Sequence, residues 1–334
     1  MPPIRPISIG YPGAEDLQRL FAAYPYRQYQ HSVQRLDRRR LSRYLADNHR
    51  SLFEMKGARH FGVRGAGGRL SALASLVPLP WHSKIYGLKM GKIASFLTYE
   101  VPGAAGPLLG RLIRTARRDR YRHLSVRLDG RDQVNLAAFA REGFYIVDCS
   151  VKMSLELPCE LPPRPGARRG LKVVEFEERY LPAMSEIAAV SHELNRFYND
   201  PALPAERSRE LFRRWVERCC RAQDSIVFVA LHDESVAGFC IILENHRFNE
   251  SLGRRVGILD FICLDAAVKG QGLGWLLLHD ILHRMRERFD LIELRTNFTN
   301  YPALNLYSRA GFKIVASDVY LHWTPSESDG PACI

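Results

Sequence analysis

The residues best suited to chemistry lie between Gly257 and Phe312. Lys269-Gly270-Gln271-Gly272-Leu273-Gly274 follows the apolar run Ile258–Leu264 and precedes an amphipathic stretch from Trp275 to Arg288. Glycines at a helix start expose several backbone N–H groups, and the helix dipole favours an anion there. A side chain in their place would keep the backbone away from a pyrophosphate. Downstream, Asn300-Tyr301-Pro302 opens a second helix that carries Tyr307 and ends on Gly311-Phe312. Asparagine caps helices and proline is tolerated in their first turn. Together these segments offer an anion cradle built on backbone donors, with a phenol beside it that can give up a proton. A strand-to-helix turn and a core tyrosine are the plainer readings of the same residues. The order of cradle, apolar strand Asp290–Thr296 and capped helix favours the chemical one.

Other phosphate motifs do not fit. A P-loop needs Lys-Ser/Thr after its glycines, whereas Gly274 is followed by Trp275. A dinucleotide fold wants a differently spaced glycine set early in a parallel unit. The seven cysteines are scattered, only Cys219 and Cys220 being adjacent, and no Cys/His cluster has zinc spacing. Reduced thiols, a cytoplasmic setting and no metal are the expectation.

The elements that must position these groups require a sizeable chain. Its 334 residues suggest two domains, and 46% hydrophobic with 25% charged residues describes a globular protein. No apolar run approaches the roughly 18–20 residues of a membrane span, so no membrane partner is expected. The opening MPPIRPISIGYPGAEDLQRL lacks the apolar centre of a signal peptide. The net charge of +12 would suit nucleic acid, but the arginines are spread along helices rather than interleaved with exposed aromatics. Small polyanions are the better partners for it.

The chain also repeats itself. Asp132–Phe144 (DQVNLAAFAREGF) and Asn300–Phe312 (NYPALNLYSRAGF) both read as amphipathic helices ending on Gly-Phe, 168 residues apart from 132 to 300. Two hairpin patterns, around Leu70 and Val236, repeat at 166. Two offsets in near agreement argue for internal duplication. Moving the cradle back by 168 lands on Val101–Gly106, VPGAAG, which lacks the lysine and gains a proline; Tyr307 maps onto Phe139. One cradle per chain is expected, in the second half. The proline-rich run LPCELPPRPGARRG marks a linker, giving domains 1–157 and 171–325, a linker at 158–170 and a tail at 326–334.

The stretch from Lys172 to Trp323 resembles the GNAT superfamily of N-acetyltransferases, whose signature is Gln/Arg-x-x-Gly-x-Gly/Ala followed by Asn-x-x-Ala-x-x-Leu-Tyr. Lys269 stands where the family has Gln or Arg. The resemblance implies an α/β (α+β) fold of two tandem GNAT-like domains, each a mixed, mostly antiparallel twisted sheet flanked by helices. It implies acetyl-CoA held by Ile262, Cys263 and Leu264 on a splayed strand. The pyrophosphate would lie over Lys269, Gly270, Gln271, Gly272, Leu273, Gly274 and Trp275, and Asn300 would reach the pantetheine region. Tyr307 would protonate the departing thiolate, a phenol of pKa about 10 suiting a thiol of about 8.5. Transfer would be direct, without an acyl-enzyme.

LPWHSKIYGLKMGKI at Leu79–Ile93, NRFYNDPALPAERSRELFRRWVERCC at Asn195–Cys220 and the closing SDVYLHW resemble two-domain acetyltransferases of nucleotide-linked 4-amino-4,6-dideoxy sugars. His82 stands at the place of an acid in that pattern, and Ile85-Tyr86 at the place of Phe-Phe. The acceptor implied is a small primary amine, a nucleotide amino sugar first; a peptide, polyamine or antibiotic amine, or a non-catalytic acyl-CoA sensor, are the alternatives. A monomer or homodimer is expected. For the general base Asp148 is the first candidate, because its counterpart in the repeat is Ala316, and Glu244 is the second. His192, His246 and His279 receive no role.

Overall fold

The computed structural model describes residues 4–29, 37–163, 171–191 and 193–325. The expected tail 326–334, His192 and residues 164–170 of the expected linker lie outside them. The strands in chain order are β1 (Ile7–Ser8), β2 (Arg59–Arg64), β3 (Leu70–Pro78), β4 (Met90–Leu97), β5 (His123–Asp129) and β6 (Tyr145–Glu156). They continue as β7 (Leu171–Glu175), β8 (Ser225–His232), β9 (Ser235–Glu244), β10 (Val256–Leu264), β11 (Leu291–Asn297) and β12 (Lys313–Trp323). Two compact units result: 1–148 with 318–334, and 149–317.

In the first unit β1 to β4 are antiparallel neighbours, β4 runs parallel to β5, and residues Asp318–Trp323 of β12 close the sheet antiparallel on β5. β3 is buried along most of its length because both of its faces are covered. Ala72, Ala74 and Leu76 enter the core with Leu108 and Leu112 of helix Ala105–Arg118. Leu73 meets Leu17 and Leu20 of helix Ala14–Ala23 on the other side. The second unit repeats this plan. β7 to β10 are antiparallel, β10 runs parallel to β11, and Ser150–Glu156 of β6 close the sheet on β11. The two mixed, mostly antiparallel sheets flanked by helices are those expected.

The repeat extends to detail. Helices Ala105–Arg118 and Leu273–Met285 begin 168 residues apart (105 to 273), as do Gln133–Arg141 and Tyr301–Arg309 (133 to 301). Asp132 and Asn300 cap the latter pair in the same way, accepting from the N–H of Asn135 and Ala303. Both parallel pairs are four residues long, and both of their leading strands carry an extra residue where the register slips, Ala94 in β4 and Asp260 in β10.

Each sheet is closed by a strand from the other half of the chain. Met153, Leu155 and Leu157 therefore sit in the second unit's core beside Leu294 and Ile281, although they precede the linker in sequence. Met153→Ala leaves a cavity at a fully buried position and should cost about 2–5 kcal/mol. Chemical denaturation should place it level with Leu294→Ala; a loss under about 0.5 kcal/mol would mean that β6 adds little to that core.

Candidate acyl-transfer site

The cradle is shaped by its glycines. Gly270 (φ 79°) and Gly272 (φ 78°) take the left-handed conformation that side chains disfavour. Asp265 accepts from the N–H of Ala267 at 2.8 Å and fixes the turn Ala266–Val268 ahead of them. Gly272 then starts helix Leu273–Met285 without any side-chain cap. The N–H groups of Leu273, Gly274 and Trp275 have no carbonyl one turn earlier in the helix, so they are left for an external acceptor at its positive end. Lys269 and Gln271 are exposed at the rim, Gln271 donating to the Ala267 carbonyl at 3.3 Å. Trp275 is buried under Arg309, 4.6 Å from guanidinium to ring centroid. A pyrophosphate fits this donor set.

From the cradle the chain leads back to an opening in the sheet. β10 and β11 pair only from Val256–Leu259 to Leu291–Leu294. Beyond that, Asp260–Leu264 of β10 make no pairing with β11, while β11 keeps β6 on its other edge from Leu291 to Asn297. One backbone edge of Ile262, Cys263 and Leu264 is thus open on that side. The other edge is tight: a Cβ on Gly238 would stand 2.4 Å from the Cys263 carbonyl oxygen, so β9 approaches β10 there only as glycine.

Tyr307, on helix Tyr301–Arg309, is buried in the core that includes Cys240, Leu259 and Trp275. Burial pushes its phenol well above the ordinary range, with Cys240 and Cys263 adding to the shift. Burial likewise pushes the Cys263 thiol up to about 12 and Cys240 well above its usual value, so neither is a thiolate near neutrality. Asn300 Oδ1 accepts from Ala303 N–H at 3.4 Å, and its side-chain NH2 has no acceptor among the described residues.

The register slip in β10 brings in a residue that motif reading missed. Leu259 pairs with Ile242 and Phe261 with Ile241, so Asp260 is the extra residue of a bulge. The bulge turns Asp260 and Phe261 toward the same helix, Ala205–Cys220: the Trp215 indole N–H donates to Asp260, and its ring meets Phe261 edge-on at 5.9 Å. Desolvation holds the Asp260 carboxyl up at about 6, against the lowering effects of Arg196 and the Trp215 hydrogen bond. Its Oδ2 is buried without a hydrogen-bond partner among the described residues. A carboxyl with pKa near neutrality is suited to proton abstraction. The sequence signal was an aspartate inside an otherwise apolar strand, GILDFICL.

Of the residues expected from sequence, Ile262 to Leu264, Lys269 to Trp275, Asn300 and Tyr307 all belong to the second unit. Asp148 is the last residue of the first unit, buried on β6. Glu244 is engaged by Arg288 at 2.9 Å and by His246 at 3.5 Å, which leaves it an ion-pair role. In the first unit the corresponding places are filled. Ala94 stands at the bulge, and Asp132, fully buried, takes hydrogen bonds from Tyr24 at 2.6 Å, Tyr99 at 2.7 Å and Asn135 at 2.8 Å.

Residues 187–312 match the family model described as acetyltransferase (GNAT) family. Those residues form a GNAT acetyltransferase domain. The similarities to individual proteins are more distant. The chain is 28% identical over 174 residues to a mycothiol acetyltransferase of Propionibacterium freudenreichii, covering 51% of each chain. It is 25% identical over 146 residues to the spore coat polysaccharide biosynthesis protein SpsD of Bacillus subtilis, covering 43% of this chain and 48% of that one. The chain spans about half the length of the curated relatives it matches. A solved tandem GNAT protein from the clavulanic acid biosynthesis pathway superposes over 97% of this chain and 100% of its own, with a TM-score of 0.57 at 13% identity. That likeness extends the GNAT fold to both units.

Asp260 should reveal itself in stability before any substrate is known. Its folded pKa of about 6 exceeds the ordinary value of 3.8, so between those values the folded state holds a proton that the unfolded chain has lost. Stability is therefore greatest below pH 3.8 as far as this group is concerned, and it falls as pH rises toward 6. The slope over that window is roughly 1.4 kcal/mol for each step of one in pH. Asp260→Asn should raise the melting temperature at pH 8 and leave it nearly unchanged at pH 4. The opposite ordering would show that the carboxylate is stabilised where it sits.

Proposed function

We propose that the chain is an N-acetyltransferase that moves an acetyl group from acetyl-CoA directly to a primary amine of a small acceptor, with a nucleotide-linked amino sugar favoured. The observation that carries this reading is the opening between β10 and β11, which has a raised-pKa carboxylate at its start and a buried phenol on a flanking helix. The relative named for spore coat polysaccharide biosynthesis supports a sugar acceptor.

Acetyl-CoA would supply the thioester; the residues of the chain do the rest. The N–H groups of Leu273, Gly274 and Trp275 hold the pyrophosphate, and the free edge of Ile262–Leu264 takes the amides of the pantetheine arm as a strand would. The same edge offers backbone donors to the oxyanion that develops when an amine attacks. Asp260 takes the proton of the attacking amine, and Trp215 holds it in place. Asp148 is a second candidate for that role. Tyr307 stays protonated across the physiological range and delivers its proton to the leaving sulfur. Cys240 and Cys263, kept as thiols by burial, offer no nucleophile for an acyl-enzyme.

Thiol release from acetyl-CoA across a panel of amines that includes aminodeoxy sugar nucleotides tests the reading. Tyr307→Phe should lower turnover by about 10²-fold or more while coenzyme A affinity stays within about twofold. Turnover equal to wild type would remove the phenol from the mechanism, and no thiol release with any amine would leave an acyl-CoA sensor.

A pH profile addresses the base. kcat/KM should fall with unit slope below pH about 6 whatever the pKa of the acceptor amine, following the Asp260 carboxyl. Asp260→Asn should abolish that limb and cost roughly 10²-fold. If the limb persists in Asp260→Asn and vanishes in Asp148→Asn, the base is Asp148.

A further inference from the structure

The first unit has a cavity of about 420 Å³ on the exposed side of helix Ala105–Arg118, and Asp132 is not among its lining residues. Its floor is the backbone at Gly106 and Gly110, one turn apart, where missing side chains leave the helix open. Arg5, Arg111 and Arg114 line it. The Arg114 guanidinium folds back over Gly110, its Nη1 3.4 Å from where a Cβ would stand, and Arg111 lies over the Phe61 ring at 5.9 Å. Glu142, which follows helix Gln133–Arg141, is the acid of the lining.

Charge and pairing make this cavity a candidate for a ligand. Arg19, Arg59 and Arg131 of the same unit are each held by a carboxylate. Arg5, Arg111 and Arg114 have no carboxylate within ion-pair distance among the described residues, and neither does Glu142 a cation. Three guanidiniums around one cavity repel one another, and an anion between them relieves that. The helix beside them starts on Ala104, which gives no side-chain cap, so its positive end adds to the same field. Guanidinium forks match phosphate oxygens in pairs, and the volume suits a small molecule. The arginines are also particular to this copy: 168 residues on, Arg111 and Arg114 correspond to His279 and Leu282.

We propose that the first unit binds the phosphate or diphosphate of a small molecule between Arg5, Arg111 and Arg114, at a site separate from the glycine cradle of the GNAT domain. The site does not rest on the acetyl-transfer reading. Titration calorimetry of inorganic pyrophosphate into the full chain at low salt tests it. Arg111→Ala/Arg114→Ala, at exposed positions, should weaken one class of pyrophosphate sites by at least about tenfold, because two charge-assisted contacts are lost. Glu142→Gln should tighten the same class several-fold by removing the opposing carboxylate. Gly274→Asp, in the cradle, should leave that class in place. Arginine and Glu142 variants that titrate like wild type would overturn the proposal, as would loss of all pyrophosphate binding in Gly274→Asp. A nucleoside diphosphate run in parallel separates the sources: tighter binding than pyrophosphate assigns a nucleotide, and equal binding assigns the phosphates alone.

Discussion

The chemistry of the second unit depends on one constraint: β10 and β11 part after four residues of parallel pairing. A parallel pair that stops in mid-strand leaves backbone donors and acceptors without a ladder, and buried groups of that kind must find partners. On its other edge β11 stays paired with β6 along its whole length, Leu291–Asn297 against Glu156–Ser150. β10 likewise stays paired with β9 as far as Leu264, and its bulge at Asp260 marks the point where that pairing shifts. The free edge, the turned carboxylate and the cradle beyond it all follow from that divergence. A fully paired sheet would have no place for a ligand arm between the two strands.

The same divergence in the first unit leads elsewhere. β4 and β5 also pair over four residues and β4 also slips its register, yet the slip falls on Ala94 and no ionisable group is turned inward there. The cap position holds Asp132, buried at 0% exposure and saturated by Tyr24, Tyr99 and Asn135. A buried carboxylate is tolerated when its oxygens are fully hydrogen-bonded. Asn300 faces no such network among the described residues, where its NH2 has no acceptor. Equal scaffolds thus differ in whether the cap residue is consumed by its own unit.

Much of this was legible in the residues. The glycine turn, the Asn-capped helix and the 168-residue repeat are local patterns; the capped helix begins where the spacing indicated, and the cradle helix runs from Leu273 to Met285 rather than from Trp275 to Arg288. The source of each closing strand was not legible. Alternation along a strand can mark which side chains are buried but not which sheet the strand joins, and a proline-rich run after β6 reads as a boundary whichever sheet that strand joins. Asp260 was hidden for a related reason. A bulge is a mismatch between two strands distant in sequence, so strand periodicity alone assigns Asp260 and Phe261 to opposite faces.

The excess of positive charge gains a structural sense from the two units. In the GNAT domain the proposed anion site would be made of backbone N–H groups, with Lys269 only at its rim, so it would need few charged side chains. Many arginines there are spent on ion pairs, such as Arg213 with Glu186 and Arg255 with Asp290. In the first unit the corresponding helix starts after Pro102, and its turn is closed by bonds from Val101 N–H to Thr98 and from Ala104 N–H to Val101. Two backbone donors of the turn are consumed there, so much of the attraction for anions has to come from side chains. Guanidiniums along Arg111 and Arg114 supply it one turn further on, where glycines make room. A duplicated scaffold can thus keep an affinity for anions after losing the turn that created it, provided the charge moves from the main chain to the side chains.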